Sequence, residues 1–190
     1  MTDADIPSVA AVSARAFFDD PLQAWALPDD STRLAKLEAM FTLQTRVASL
    51  PVGECYTDES CSVACFWAPP RAWQPTSDVL AQLVPLRDIL AEGLARFGLA
   101  MNAMHAVHPE EPHWYLQGLG TEPARQRQGL ASAVLEPVLA RCDDEGTAAY
   151  LESTKERNVA FYERHGWRVT GTIDLPEGGP RMWSMWRDPR

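Results

Sequence analysis

The sequence predicts an α/β fold in a single domain that extends over residues 1–190. Short apolar runs of strand length occur between longer segments in which apolar residues recur with helical spacing. A chain of 190 residues, 46% of them hydrophobic, can also bury one full core. No internal repeat or low-complexity linker divides it. We therefore expect strands and helices that together build one α/β domain.

The first half of the chain predicts helices around a pair of strands. Ile6 and Val9 begin the apolar face of the first helix, which Asp19-Asp20-Pro21 should end. Pro85 and Gly93 should interrupt the last helical region of this half. The expected elements are helices over residues 4–19, 31–49 and 77–108 and paired strands over 52–57 and 61–67.

The second half predicts strands and helices in alternation. Trp114-Tyr115-Leu116 belongs to an apolar run, and Leu130, Val134 and Leu135 in the next segment have helical spacing. Pro137 should bend that helix. The expected elements are a strand–turn–helix unit over 113–141, a strand over 147–152, a helix over 158–165 and strands over 166–173 and 181–186.

The turn between the strand and the helix of this unit has the features of a phosphate site. It is Gln126-Arg127-Gln128-Gly129-Leu130-Ala131, and it opens a helix whose first N–H groups lack partners and whose dipole is positive there. Gly129 and Ala131 leave room for a diphosphate, and Arg125 and Arg127 add positive charge. The two glycine-rich fingerprints of nucleotide sites, G-x-G-x-x-G and G-x-x-x-x-G-K-[ST], are absent. We interpret the turn as a pyrophosphate cradle of another kind.

Two blocks of sequence indicate which kind of cradle this is. The turn has the pattern Q-x-x-G-x-A, which resembles the acetyl-CoA signature of the GCN5-related N-acetyltransferases (GNAT), and residues 158–167 resemble their second signature. The resemblance implies acetyl-CoA as cosubstrate, no metal, and a mixed central sheet flanked by helices. Members of the family usually begin with a strand, whereas residues 1–5 lead almost directly into a helix. We expect that strand to be absent or shortened, through a late start of the chain or a smaller sheet edge.

The resemblance also implies which residues bind the cosubstrate. Backbone groups of Leu119 and Thr121 would bind the pantetheine arm like an added strand, and the glycines within 118–120 indicate a bulge or a close approach there. Ser132 would contact phosphate or is a small helix residue, and Asn158 would hold the cosubstrate or cap a helix. The expected cosubstrate site is Leu119, Gly120, Thr121, Gln126, Arg127, Gln128, Gly129, Leu130, Ala131, Ser132 and Asn158.

Acetyl transfer to an amine requires a base for the amine and an acid for the leaving thiolate. Tyr162 is the expected general acid, because the resemblance implies the acid in this short helix; a ring packed on the core is the alternative. Glu152 ends a strand and is expected to be the base, a counter-charge for the amine, or a cap of the next turn. His113 is a weaker base candidate. His105 and His108 have an i, i+3 spacing but no evident third metal ligand, so we interpret them as polar helix-end residues.

Further blocks, among them 16–21 and 176–183, resemble the puromycin N-acetyltransferase group. This resemblance implies acetyl transfer to the primary amine of a small molecule, antibiotic-like or metabolite-like. Two alternatives stay open: a protein N-terminal or lysine acetyltransferase, and a non-catalytic acyl-CoA-binding sensor module. Trp67 and Trp73 flank a proline-rich loop, where they would line an acceptor pocket or fill the core.

Composition argues against several other classes of partner. The net charge is −9, which argues against nucleic acid. An acidic surface suits a cationic amine, and solubility explains it equally well. No apolar stretch reaches membrane-span length and no signal peptide opens the chain, so we expect a cytoplasmic protein without a membrane partner. The four cysteines fit no zinc or redox motif and are expected to be reduced, buried thiols. The sequence leaves the oligomeric state open, a homodimer included.

Overall fold

A six-stranded sheet organises the computed structural model, which describes all residues, 1–190. The strands are β1 (Glu54–Thr57), β2 (Val63–Ala68), β3 (His113–Thr121), β4 (Ala148–Ser153), β5 (Arg168–Asp174) and β6 (Arg181–Arg187). They lie in the order β1-β2-β3-β4-β6-β5. The pair β3–β4 is parallel and every other pair is antiparallel, so the sheet is mixed. The predicted fold class, a mixed sheet flanked by helices, is confirmed.

The helices fall into an N-terminal group, a middle group and two that follow the central strands. They are α1 (Ile6–Ala16), α2 (Pro21–Ala26), α3 (Asp30–Gln44), α4 (Leu50–Val52), α5 (Ser77–Gln82), α6 (Leu86–Leu90), α7 (Leu94–His105), α8 (Leu130–Glu145) and α9 (Val159–Arg164). A π-helical stretch, Thr45–Ser49, joins α3 to α4. The predicted interruptions of the middle region are confirmed, because α5, α6 and α7 are separate helices there.

The predicted helix over residues 4–19 is too long. It ends at Ala16, and a short helix that the sequence analysis missed, α2, begins at Pro21. The side chain of Asp20 accepts hydrogen bonds from the N–H groups of Leu22 and Gln23, and Pro21 fits the first helical position. Asp20-Pro21 therefore starts a helix and does not end the preceding one, which stops at Ala16.

No strand precedes α1, in agreement with the predicted departure from the usual GNAT pattern. Residues Asp3–Asp5 form a 3₁₀ turn, and the amino group of Met1 donates a hydrogen bond to the carbonyl of Cys55 in β1 at 3.3 Å. The helix α1 then packs against β2, where Val9 contacts the buried side chains of Ala64 and Phe66.

The main core lies between α8 and one face of the sheet. Val134, Leu135, Val138 and Leu139 of α8 are buried there against side chains of β2, β3 and β4. The helix continues through Pro137, whose missing N–H lies on the exposed side. This packing fixes where the first turn of α8 lies relative to the ends of β3 and β4.

The two central parallel strands pair along only part of their lengths. His113–Tyr115 of β3 pair with Ala148–Tyr150 of β4, and the pairing stops there. Both strands continue, β3 to Thr121 and β4 to Ser153. Their separation leaves one edge of β3 without a strand neighbour beyond Tyr115 and opens the sheet at this point.

All four cysteines are free thiols, as predicted, but the predicted burial is wrong for Cys55 and Cys61, which are half-buried. Cys65 and Cys142 are buried, and burial raises the pKa of Cys142 to about 12. None of the helices combines the length and apolar character that crossing a membrane would require.

Candidate active site

A cavity of about 610 Å³ occupies the opening between β3 and β4. Its wall includes the end of β3, the turn before α8, the end of β4, helix α9 and the connection between α1 and α2. It brings together nearly all the predicted site residues: Leu119, Gly120, Thr121, Gln126, Arg127, Gly129, Leu130, Ala131, Ser132, Glu152, Asn158 and Tyr162. Gln128 does not line the cavity; its side-chain oxygen instead accepts a hydrogen bond from Arg125 Nε at 3.0 Å.

The turn before α8 depends on two left-handed residues. Gly129 has φ +84° and occupies the N-cap position of α8, and Arg127 has φ +62°. Glycine is favoured at such a φ because it has no Cβ to clash with the backbone. The 16-residue helix that follows directs the N–H groups of its first turn, and the positive end of its dipole, toward the cavity wall formed by Leu130 and Ala131.

The cavity-lining part of β3 contains both features that its glycines predicted. The register with β2 shifts so that Phe66 pairs with Gly118 and Trp67 with Leu116, which leaves Gln117 unpaired in a bulge. At Gly120 a Cβ would lie 3.0 Å from the ring of Phe17 in the segment after α1. A side chain there would push this segment away, so the glycine allows the N-terminal helices to close over the strand.

The cationic and anionic side chains of the cavity come from different elements. We call the wall formed by the turn before α8 and by α9 with its preceding 3₁₀ turn the basic half; its cations are Arg125, Arg127, Arg157 and Arg164. We call the wall formed by Asp20, Gln23 and Glu152 the acidic half. Lys155 also lines the cavity, but its ammonium pairs with Asp19 at 2.5 Å, and Nη2 of Arg157 lies 3.4 Å from the same carboxylate. The cavity therefore offers cations to an anionic ligand and carboxylates to a cationic one.

Tyr162 lies where α9 meets the core and the cavity. Its ring packs edge-on against Trp167, with centroids 5.7 Å apart, and the residue is 8% exposed. Its hydroxyl makes no hydrogen bond within the protein, and the residue lines the cavity. Burial raises the pKa of Tyr162, so the phenol keeps its proton at neutral pH. The ring is thus a core residue, while the hydroxyl is a proton donor available to a ligand.

Glu152 is held at the end of β4 with its side chain 2% exposed. Its Oε2 accepts a hydrogen bond from the hydroxyl of Tyr115 at 2.8 Å. Its Oε1 is buried and has no hydrogen-bond partner, and the closest cationic candidate is Nδ1 of His108 at 3.8 Å. The capping alternative for Glu152 is wrong, because neither carboxylate oxygen binds a backbone N–H of the following turn.

The interpretation of His108 as a polar helix-end residue is wrong. Helix α7 ends at His105, which is exposed, whereas the side chain of His108 is 2% exposed and stacks on Trp73 with ring centroids 3.7 Å apart. Its Nε2 lies 3.1 Å from Nε2 of His113. Trp73 therefore lies behind Glu152 and does not line the cavity. The pocket-lining alternative is wrong for Trp67 as well, since that ring is wholly buried and stacks on Trp167.

Two polar residues, Asn158 and His165, lie at the ends of α9. Asn158 occupies the N-cap position of α9 but makes no capping hydrogen bond, which leaves its amide free at the cavity wall. His165 caps the other end, and its Nδ1 lies 2.9 Å from the carbonyl of Phe161, so Nδ1 donates. Its Nε2 is 3.0 Å from the hydroxyl of Ser132, which links α9 to the first turn of α8.

The acidic half was not found from the sequence, apart from Glu152. Burial raises the pKa of Asp20, although a hydrogen bond from the hydroxyl of Thr154 and the charge of Lys155 lower it in part. Gln23 is buried with its Oε1 unpartnered. The apolar residues that line the same cavity include Phe17, Leu22, Met104, Leu151 and Met182. The one usable signal was Asp20-Pro21, which is a helix N-cap followed by a proline suited to the first position.

Comparisons with known proteins find a family match over the part of the chain that contains the turn before α8. Residues 92–167 match the model of the acetyltransferase (GNAT) family. An uncharacterised N-acetyltransferase of Schizosaccharomyces pombe is 34% identical over 73 residues, which cover 38% of this chain and 30% of that protein. The match thus spans less than a third of the yeast GNAT relative.

Solved structures extend the GNAT likeness to the whole fold. A Corynebacterium glutamicum protein, named as histone acetyltransferase HPA2 and related acetyltransferase, has a TM-score of 0.72 and 25% identity over 100% of this chain and 94% of its own. An agmatine N-acetyltransferase has a TM-score of 0.60 and 14% identity over 99% of this chain and 96% of its own. The six-stranded mixed sheet with its flanking helices is therefore the GNAT fold.

Proposed function

We propose that the protein is an acyltransferase that moves an acetyl group from acetyl-CoA directly to the primary amine of a small molecule, with residues 1–190 acting as one domain. One observation carries the proposal: Tyr162 and Glu152 line the same cavity as the turn before α8. Holding a donor and an acceptor side by side removes the need for a covalent enzyme intermediate, because proximity supplies much of the acceleration.

The basic half would bind the cosubstrate. Backbone N–H groups at the start of α8, with Arg125 and Arg127, suit the diphosphate, and Ser132 lies beside them with its hydroxyl 3.0 Å from Nε2 of His165. The edge of β3 that lost its strand neighbour, including Leu119 and Thr121, suits the amide groups of the pantetheine arm. These contacts fix the thioester end near α9 and β4.

Tyr162 and Glu152 would divide the proton transfers. Glu152 accepts a proton from the acceptor ammonium, and the free amine then attacks the thioester carbonyl. Tyr162 donates its proton to the departing sulfur, and the second proton of the amine nitrogen restores the phenol. The raised pKa of the buried Tyr162 supports this role, because the acid must be protonated before the reaction.

The acidic half would hold the acceptor. The three polar side chains of this half are nearly buried: Asp20 and Gln23 are less than a tenth exposed, and so is the side chain of Glu152. A cationic amine bound there would meet carboxylates with little competing water. Phe17, Met104 and Met182 add apolar wall. A small, partly apolar amine, antibiotic-like or metabolite-like, suits this wall. We locate the reaction in the cytoplasm, where free thiols such as these four cysteines persist.

Release of coenzyme A in the presence of different amines tests the proposal. The panel contains puromycin, agmatine, a peptide with a free N-terminus and an N-terminally blocked peptide with one lysine, and acetyl-CoA binding is measured in parallel by calorimetry. We expect turnover with at least one small amine at a higher kcat/KM than with either peptide. A preference for a peptide would favour a protein acetyltransferase, and tight acetyl-CoA binding without turnover on any amine would favour a sensor module.

A further inference from the structure

Two buried histidines stand behind Glu152, on the side away from the cavity. Nδ1 of His113 lies 2.6 Å from the backbone carbonyl of Glu111, and Nε2 of His113 lies 3.1 Å from Nε2 of His108. Nδ1 of His108 then faces Oε1 of Glu152 at 3.8 Å. The groups form a continuous series from a backbone carbonyl to the carboxylate, and neither histidine lines the cavity.

The carbonyl at the far end decides where the ring protons lie. A carbonyl can only accept, so Nδ1 of His113 carries a proton and donates it. Burial lowers the pKa of His113, which keeps the ring neutral and leaves Nε2 as an acceptor. The facing Nε2 of His108 must therefore donate. This leaves Nδ1 of His108 as the position where a proton can be gained or lost.

Oε1 of Glu152 makes no hydrogen bond in the structure, and the hydroxyl of Tyr150 beside this carboxylate is likewise buried and unpartnered. Tyr115 donates to Oε2, whereas Oε1 is buried and unpaired unless a proton lies between it and Nδ1 of His108. With no proton there, a carboxylate oxygen faces a nitrogen lone pair, which is unfavourable. With one proton there, an imidazolium donates to a carboxylate, or a carboxylic acid donates to an imidazole. The pair has room for a single proton.

We propose that His108 is a positioning residue that acts through Glu152, and that the two side chains together hold the proton that the acceptor ammonium gives up. The inference rests on the proposed function, because it deepens the role of the base in that reaction. His108 would thus take part in proton uptake although it lies in the connection after α7 and does not line the cavity.

The proton balance of the reaction has a place for this pair. The ammonium loses one proton, which Glu152 receives and shares with Nδ1 of His108. The nitrogen–carbonyl bond forms, the carbon–sulfur bond breaks, and Tyr162 protonates the sulfur. The second proton of the nitrogen then restores Tyr162. Overall an ammonium and a thioester give an amide, a thiol and one proton, and this last proton leaves the pair for solvent before the next cycle.

The surroundings of His108 leave Glu152 as the only group that carries charge at neutral pH. Trp73 covers one face of the ring, and the other neighbours are uncharged aromatic residues. Burial raises the pKa values of Tyr115 and Tyr150, so both phenols stay neutral. The titratable groups that face the ring are Glu152 and Tyr150 from β4 and His113 and Tyr115 from β3.

A pH profile of His108→Gln tests the positioning role. The glutamine amide can still donate to His113 but cannot take up a proton from Glu152. We expect kcat/KM at its plateau to fall roughly tenfold and its acid limb to move to lower pH, because Glu152 alone binds the proton less tightly than the pair. His105→Gln is the matched control, since His105 is exposed and contacts Trp73 only by its edge; its profile should equal that of the wild type.

A fall in the plateau without movement of the acid limb would overturn the proposal and leave His108 a packing residue. A second measurement is independent of the substrate and of the His108 variant. Nitrogen NMR of the intact ¹⁵N-histidine-labelled protein should show neutral His113 protonated on Nδ1 and an Nδ1 signal of His108 that shifts in Glu152→Gln. An unchanged Nδ1 signal of His108 would also overturn the pairing. If no amine in the panel is acetylated, the proposed function fails while the NMR result still decides the pairing.

Discussion

The two halves of the cavity are built in different ways. The basic half comes mainly from one continuous stretch, in which the end of β3 runs through a left-handed turn into α8. The acidic half is assembled from separate parts of the chain, with Asp20 and Gln23 from the N-terminal helices and Glu152 from β4. Backbone groups and a helix dipole dominate the first, whereas side chains alone form the second. A binding site of the first kind keeps its ligand when side chains change, and one of the second kind does not.

Tyr162→Phe should have the largest effect, because Tyr162 lies where the two halves meet. Loss of the hydroxyl removes the acid for the leaving sulfur while the ring still fills the core beside Trp167. We expect kcat to fall roughly 100-fold or more, with the acetyl-CoA dissociation constant and the amine KM changed less than twofold. Steady-state kinetics and calorimetry measure these quantities.

Tyr56→Phe is the matched control for that variant. Tyr56 also packs against the main core, but its hydroxyl donates to Glu54 and it does not line the cavity. Its turnover should stay within twofold of the wild type. Equal losses of turnover in the two variants would mean that Tyr162 acts only by stabilising the fold. The proposed role of Tyr162 as the acid between the two halves would then be wrong.

The difference between a half built from one continuous stretch and a half assembled from distant residues also explains what the sequence could predict. The turn before α8 was predictable because its chemistry depends on a contiguous pattern: a strand, a glycine that adopts φ +84° and a helix start. Of its residues only Gln128 was misplaced, since its direction depends on the hydrogen bond to Arg125. Strand–helix order was predictable for the same reason, because periodicity is local.

The acidic half and the histidines were not predictable, because no local pattern sets their contacts. Asp20 meets Thr154 across 134 residues of sequence, and Tyr115 meets Glu152 across 37. His108 lies in the connection after α7, a position that suggests exposure, and only the separation of β3 from β4 brings it behind Glu152. Such contacts depend on tertiary packing, which no local pattern of residues encodes.

Gly129→Val tests whether the backbone of the turn governs the basic half. A β-branched side chain disfavours φ +84°, which costs about 1–2 kcal/mol or redirects the N–H groups. We expect the dissociation constant of acetyl-CoA to rise roughly tenfold and the amine KM at saturating acetyl-CoA to stay within twofold. Gly146→Val is the control, because Gly146 is also left-handed at φ +64°, with open space around it, at the far end of α8.

Both valine variants should lose comparable stability in thermal melts, so only the difference in acetyl-CoA binding reports on the cavity. Weaker binding in both would attribute the effect to α8 as a whole. Tight binding in both would show that the arginine side chains, and not the backbone, hold the cosubstrate, and the contrast between the halves would fail.

Asp20→Asn tests the acidic half with a smaller expected effect. Asparagine is as good an N-cap as aspartate, so α2 should persist, but the negative charge is lost. We expect the amine KM to rise about fivefold, as the loss of ~1 kcal/mol would give, with no change in the acetyl-CoA dissociation constant. A change confined to acetyl-CoA binding would contradict the assignment of Asp20 to the acceptor.

The same variant has a stability consequence with a definite sign. Burial raises the pKa of Asp20 above its unfolded value, so the native state binds more protons than the unfolded state between the two pKa values. The contribution of Asp20 to stability is therefore greatest below the unfolded pKa and falls as the pH rises through the folded one. Asp20→Asn should accordingly melt at a higher temperature than the wild type at pH 7, with the advantage shrinking toward pH 4. A lower melting temperature at pH 7 would mean that Thr154 and Lys155 offset the burial of the charge.

The smallest expected difference between the two halves is in how strongly salt weakens ligand binding to each. The arginines of the basic half are largely exposed at the cavity wall, whereas Asp20 and the side chain of Glu152 are nearly inaccessible to water. Raising KCl from 0.05 to 0.5 M shortens the screening length from roughly 14 Å to roughly 4 Å, which weakens exposed pairs far more than buried ones. We expect the acetyl-CoA dissociation constant to rise about threefold and the amine KM to change less. Arg164→Gln should reduce the salt dependence of acetyl-CoA binding. An equal salt dependence for acetyl-CoA and for the amine would contradict the expected difference between exposed arginines and buried carboxylates.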